Sequence, residues 1–221
     1  MSTGDYDFAL LLSKGYDGDL APEHHADLRR SGLSQETIAA HYIRSVPPHM
    51  IERLLGFGVA GIRSALLFPY RAPAGGFAPL VRMKPFPPLV KDDGQQIKYL
   101  QPKQSAPRLY FCLPVLRGVL SGPAPLWLVE GEKKALAVAQ RGLPAVGFAG
   151  IEAWHTGGSR DLLADFDAIP LAGRVVELVP DGDWQTNPNV ERGVIRLAQA
   201  LRARGARPRL VVLPTPLEAE A

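Results

Sequence analysis

Cysteine is almost absent from this 221-residue chain: Cys112 stands alone. That excludes an internal disulfide and any cysteine-rich zinc module within these residues, and it fits a reducing, cytoplasmic compartment. A lone cysteine with no partner is expected to be buried packing. No run approaches the roughly 18 consecutive apolar residues a membrane span needs, so no membrane partner is expected. The first seven residues hold two acids and no base, which is not the pattern of a secretory leader. Internal repeats and low-complexity tracts are also missing. Acid is scarce in one region above all. Between residues 60 and 120, nine bases (Arg63, Arg71, Arg82, Lys84, Lys91, Lys98, Lys103, Arg108 and Arg117) face only Asp92 and Asp93, a net of +7 in a chain whose total is +3. From residue 121 onward, eleven bases meet twelve acids.

What is present is an ordinary globular composition, 46% hydrophobic, enough for a sizeable core and too apolar for global disorder. The lopsided charge suits a polyanion steered by the basic segment towards a carboxylate-bearing domain. A solvated basic surface would account for the same composition.

The pattern changes character along the chain. Residues 1–30 have no clear period, and the adjacent His24 and His25 cannot share a helix face, so both are expected on the surface or in a turn. A short helix is expected to begin within 31–40, with Ser34 placed to cap it and Thr37 at the capping-box position without the Glu or Gln that would complete the box. A second short helix is expected over 49–55, closed by Gly56. Strands are expected over 65–70 and 77–83, joined at Gly75-Gly76, with Pro85 to Pro88 ending the second because proline cannot sit in a central strand. Phe68, Phe77 and Phe86 read better as core than as base-stacking rings. The Gly-, Ser- and Pro-containing stretch 118–125 is the expected domain boundary, giving a basic α+β subdomain over 1–120 and a second domain over 121–221.

After that boundary, strands and helices alternate: strand 126–130, helix 132–141, strand 144–148, helix 159–166, strand 174–179, helix 189–204 and strand 209–213. Such alternation implies an α/β fold with a mostly parallel sheet flanked by helices and right-handed crossovers.

Two of these strands end in acid. Leu126-Trp127-Leu128-Val129 runs into Glu130-Gly131, and Val175–Val179 runs through Pro180 into Asp181-Gly182-Asp183. In open α/β sheets, ligands gather at the carboxyl ends of strands. In extended backbone, positions i and i+2 point the same way, so Asp181 and Asp183 can face one ion. Carboxylates gathered there would repel one another without a cation, and an oxygen-only donor set with substrate phosphates suits Mg²⁺, with Mn²⁺ as a substitute. Glu132 reads as a first-turn acid favoured by the helix dipole. Lys134 could hold a phosphate if turned to the site. His155, beside Trp154 in a loop, has no partners at zinc-ligand spacing.

The order of these motifs resembles a known family. Leu128-Val129-Glu130-Gly131, then Ala145-Val146-Gly147, then Val179-Pro180-Asp181-Gly182-Asp183 is similar to the Toprim (Rossmann-like) domain of bacterial primases, topoisomerases and some nucleases. Lys98-Tyr99-Leu100 followed by Leu109-Tyr110 resembles the segment that precedes Toprim in DnaG-type primase cores. Glu130 to Ala137, with 181–190, resembles the Toprim-like domain of plasmid and phage replication proteins. The resemblance implies that Glu130, Asp181 and Asp183 are catalytic and hold Mg²⁺, and that basic residues upstream, here Lys98, Arg82 and Lys84, with Lys134, contact nucleic acid or nucleotide. It implies primer synthesis on single-stranded DNA from nucleoside triphosphates, in plasmid, phage or mobile-element replication, beside a replicative helicase or helicase domain. A Toprim nuclease and a non-catalytic, helicase-associated binding module are the rival expectations.

Overall fold

The contacts divide the chain into two units, Met1–Ala106 and Pro107–Ala221. The computed structural model describes residues 20–91, 93–157 and 161–212, with the Asp183 side chain also outside the description. The turn residue Asp92 and the expected strand's last residue, Leu213, therefore lie outside the described residues.

In the first unit, α1 (Pro22–Arg30) opens with proline at its first turn, where the missing N–H costs nothing. Sequence pattern misses this helix because two of its buried residues, His24 and Asp27, are polar. Helix α2 (Gln35–Ala40) is capped as expected: Ser34 Oγ accepts the Thr37 N–H at 3.1 Å. The three-residue strand β1 (Arg44–Val46) follows, too short to register as a pattern. Pro48 then starts α3 (Pro48–Leu55), and Gly56 ends it in the left-handed conformation. Strands β2 (Ser64–Arg71) and β3 (Phe77–Phe86) complete an antiparallel sheet of order β1-β2-β3.

Strand β3 continues through Pro85, beyond the expected stop. The reason is its place at the sheet edge. The Met83 N–H points outward to Leu100 O, so Pro85, two residues on, directs its donor-free nitrogen away from β2. One side of the sheet builds the core: Ala65, Leu67, Val81 and Met83 pack with Ile51, Leu54 and Leu55 of α3. The opposite side of β3 carries Arg82 and Lys84, as the two-residue period requires. A short hairpin, β4 (Leu89–Val90) with β5 (Gln96–Ile97), follows.

The second unit is a five-stranded sheet. Its elements are β6 (Tyr110–Phe111), α4 (Leu116–Ser121), β7 (Leu126–Glu130), α5 (Glu132–Ala139), β8 (Ala145–Phe148), β9 (Val175–Val179), α6 (Pro188–Ala203) and β10 (Arg207–Leu210). The strand order is β10-β9-β7-β8-β6, parallel except for β6 against β8. This mixed α/β, parallel-rich sheet flanked by helices is the fold class expected. Register assigns the faces. Gly147 of β8 faces α5, and Val129 lies beside both Gly147 and Val179; Leu178 of β9 faces α6 and lies beside Leu128. The two helices therefore cover opposite faces. Gly147 is needed here: a Cβ would lie 3.1 Å from Ala135 Cβ and 3.2 Å from Tyr110 Cβ.

In the second unit some details differ from the sequence reading. Part of the stretch 118–125 is helical, forming the end of α4, because buried Arg174 gathers its carbonyls: the guanidinium donates to Gly118 O, Val119 O and Ala124 O at 2.6–2.8 Å. Burial lowers the Arg174 pKa. The contacts divide the chain upstream of that stretch because β6 joins the second unit's sheet. The helix expected over 159–166 begins outside the described residues; residues 161–163 are not helical, and a 3₁₀ turn, Ala164–Ala168, follows them. There Asp165 accepts from Arg108 Nε at 2.8 Å, a second Arg108 nitrogen at 2.6 Å and the Leu109 N–H at 2.8 Å, which fixes the turn against the lead into β6. Cys112 is fully buried, as expected, and burial raises its pKa. No described helix is long and apolar enough to cross a membrane.

Candidate active site

The strand order creates one place for a ligand. From β7 the chain steps to β8 on one side, returns past β7 to β9, and continues outward to β10. The direction reverses between β7 and β9, and crevices form at the carboxyl ends of strands at such a switch point. Glu130 ends β7, and Asp181 follows β9 by two residues. The structure joins them: the Asp181 N–H donates to Glu130 Oε2 at 2.9 Å. Glu130 is buried, while Asp181 is half-buried.

Local chemistry explains the turn after each strand. Gly131 has φ +94°, a conformation side chains resist, and its N–H reaches Phe148 O at 2.8 Å. This lets α5 begin at once. After Pro180, the 3₁₀ turn Gly182–Gln185 is closed by the Trp184 N–H on Asp181 O at 3.2 Å. Asp183 lies in that turn; its side chain is outside the described residues.

Lys134 is brought to the same place. It is the third residue of α5, and helical side chains tilt towards the N-terminus, which here lies beside the strand ends. Its ammonium pairs with Asp181 Oδ1. This is the turn towards the site that the sequence left open for Lys134, three residues after the glycine that follows the strand. Glu132 is buried at the start of the same helix. Among the described residues, no three His, Cys, Asp or Glu side chains gather into a metal-holding group. His155 pairs instead with Glu152, at 3.2 Å from its Nε2, and Arg196 approaches the same carboxylate at 3.7 Å.

The basic residues of the first unit have their own settings. Lys98 is exposed. Arg82 lies over the Tyr99 ring at 4.3 Å. Lys84 donates to Asp27 Oδ1 at 2.6 Å and lies 5.3 Å from the Phe86 ring centre. Behind that pair sits His24, fully buried rather than in a surface turn. Its Nδ1 meets Ser45 Oγ at 2.7 Å, its Nε2 meets Ser64 Oγ at 3.1 Å, and its ring packs on Phe86 at 4.3 Å. Desolvation lowers its pKa, opposed by Glu23 and Asp27 and reinforced by Lys84. Of the three phenylalanines, Phe68 is wholly buried, and Phe77 and Phe86 are partly so.

Comparison with known proteins bears on the fold. Residues 118–219 match the family model described as a domain of unknown function (DUF3854). No curated protein matches the chain. Among solved structures, the chain is similar to the zinc-binding and RNA polymerase domains of the Aquifex aeolicus primase, with a TM-score of 0.61 and 15% identity over 89% of this chain and 51% of that one. It is also similar to the DnaG catalytic core, with a TM-score of 0.56 and 20% identity over 91% of this chain and 67% of that one. The chain shares the fold of these primase cores. It spans about half the length of the Aquifex aeolicus structure.

Proposed function

We propose that this chain is a primase-type nucleotidyltransferase that builds RNA primers on single-stranded DNA, with a Mg²⁺-binding site at Glu130, Asp181 and Asp183. The observation that carries the reading is the meeting of Glu130 and Asp181 at the switch point of the sheet. The shared fold of primase cores supports it. Replication of a plasmid, phage or mobile element, beside a replicative helicase, is the setting this reading carries with it.

The donor set fits a hard cation. Its donors are carboxylate oxygens, and the Lys134 ammonium already sits on Asp181 as a positive charge would. When bound, Mg²⁺ would offset the negative charge of the triphosphate and of the departing pyrophosphate. The chain's own groups do the positioning. Glu130 holds the Asp181 backbone through its N–H, which ties the two strand ends together. In this reading Glu130 serves as a further ligand through water or as the general base for an attacking hydroxyl. Lys134 can pair with a phosphate oxygen as a compact point charge. The reaction joins a hydroxyl oxygen to the α-phosphorus of a nucleoside triphosphate and releases pyrophosphate. Lys98, with Arg82 and Lys84, belongs to the proposed nucleic-acid contacts.

The test is primer synthesis on single-stranded DNA with labelled ribonucleotides and Mg²⁺. Asp181→Asn is expected to abolish it with the fold intact by circular dichroism. Full activity in that variant would sink the assignment. Shortening of a labelled strand, instead of extension, would make the site that of a nuclease.

A further inference from the structure

Tyr42 stands where the fold asks for glycine. It follows α2, and its N–H bonds back to Ala39 O at 3.0 Å while the next N–H, of Ile43, reaches Ile38 O at 3.2 Å. This is a helix end closed by a left-handed residue, here with φ +56°. Glycine adopts that conformation freely; tyrosine resists it. The ring is not sunk in a core to offset that cost: it is 46% exposed.

What surrounds the ring is positive and aromatic. Arg71 ends β2 opposite Phe77, the first residue of β3. Its guanidinium lies 3.8 Å from the Phe77 ring centre and 4.9 Å from that of Tyr42. The two rings meet edge to face at 5.5 Å, so Arg71 fills the corner between them. Arg44 sits 5.9 Å from the Tyr42 ring and donates to its carbonyl at 3.3 Å. Among the described residues, Arg71 has neither a carboxylate nor a hydrogen-bond acceptor, and its Nε is buried without one. A strained, exposed ring thus lies beside two cations.

We infer that Tyr42, Phe77, Arg44 and Arg71 form a stacking site for an unpaired base of single-stranded nucleic acid, with the base against Tyr42 and the flanking phosphates on the arginines. This deepens the proposed function and rests on it. Aromatic faces accept any base, and guanidinium groups hold phosphate oxygens in pairs. An acidic peptide would use the charges but leave the ring without a purpose.

The experiment is fluorescence anisotropy of a labelled oligo-dT strand and of an abasic strand of equal length, with the full chain. Tyr42→Gly is expected to weaken oligo-dT binding about tenfold, to leave abasic-strand binding unchanged, and to hold or raise the melting temperature, since glycine suits the backbone. Tyr42→Phe is expected to keep the wild-type affinity. If Tyr42→Gly binds oligo-dT as well as wild type, or if the abasic strand binds wild type as tightly as oligo-dT does, the stacking site is overturned and the proposed function stands. If poly-glutamate displaces the strand from wild type with the same dependence on Tyr42, the patch is a peptide site and the inference falls. If wild type binds no strand at all, the inference and the proposed function fall together.

Discussion

In the second unit, β7 and β9 lie between α5 and α6 and are apolar along most of their length, apart from Glu177, which pairs with Arg209 of β10. Polar chemistry is pushed to the strand ends, where Glu130 and Asp181 meet. The first unit works differently. One side of β2 and β3 enters an apolar cluster with α3, but the other side buries polar groups: Lys84 on Asp27, and His24 between Ser45 and Ser64. A sheet covered on both faces by apolar helix stripes keeps its interior dry and its site at the rim. A sheet closed on one side by a polar helix must satisfy each buried donor and acceptor along its length. The two units should therefore respond to different insults.

The largest effect is expected from crowding the dry sheet. Gly147→Val would drive a branched side chain into Ala135 and Tyr110, against which even a Cβ is tight. Overpacking of this kind costs about 3 kcal/mol. Trp127, Trp154 and Trp184 all belong to the second unit, so the tryptophan fluorescence midpoint in urea reads the loss directly. Gly56→Ala in the first unit, at φ +75° with open space around it, should cost only about 1 kcal/mol. Equal losses for the two glycines would break the contrast.

Next comes the polar side of the first unit. Asp27→Ala leaves the Lys84 ammonium partly buried without its carboxylate, and His24 loses a charge that favours its protonation. A loss of about 2 kcal/mol is expected, below the full cost of a wholly buried pair because Lys84 keeps some solvent. Double substitution with Lys84→Met should recover part of it in thermal melts. No recovery would mean that Asp27 acts through something other than that pair.

Acid should separate the units without any substitution. His24 and His41 are both buried with pKa values lowered from 6.5, first by desolvation. The His41 Nδ1–H donates to Thr37 O at 2.8 Å, which opposes the shift, and Arg71 adds to it. The folded state thus keeps both rings neutral at pH values where the unfolded chain has taken up protons. Their stabilising effect is full above pH 6.5 and is lost as pH falls below it towards the folded values. Histidine ring resonances followed by NMR through that window should show both rings titrating below 6.5. Titration at or above 6.5 would contradict their burial.

Much of the second unit was legible because burial on both faces writes itself as apolar runs. Leu126–Glu130 and Val175–Val179 stand out, and so do Val190, Val194, Leu197 and Leu201 at helical spacing in α6. Glu130 and Asp181 were legible for the same reason, as the acids that end those runs. The 3₁₀ turn at Ala164–Ala168 was not, because Arg108, distant in sequence, holds it through Asp165. In the first unit, α1 was hidden by its buried His24 and Asp27, and β3 past Pro85 by a proline whose edge position no local pattern reveals. Long-range polar partners, rather than hydrophobic period, decided those segments.

The smallest effect on stability, and the most telling about the site, is expected from Lys134→Ala. Its pair with Asp181 has both side chains close to half exposed, and such pairs contribute about 0–1 kcal/mol, so the melting temperature should hardly move. Ligand binding should move more, and in two directions. If the ammonium occupies a cation's place on Asp181, removing it frees that carboxylate, and calorimetry should find tighter Mg²⁺ binding by the variant. If the same ammonium pairs with a phosphate once the cation is bound, the variant should need a higher nucleoside triphosphate concentration for half-maximal synthesis. Tighter metal with weaker nucleotide would show one lysine serving the site in turn as counter-charge and as phosphate contact. Weaker metal binding would mean that Lys134 holds Asp181 in place for the ion rather than standing in for it.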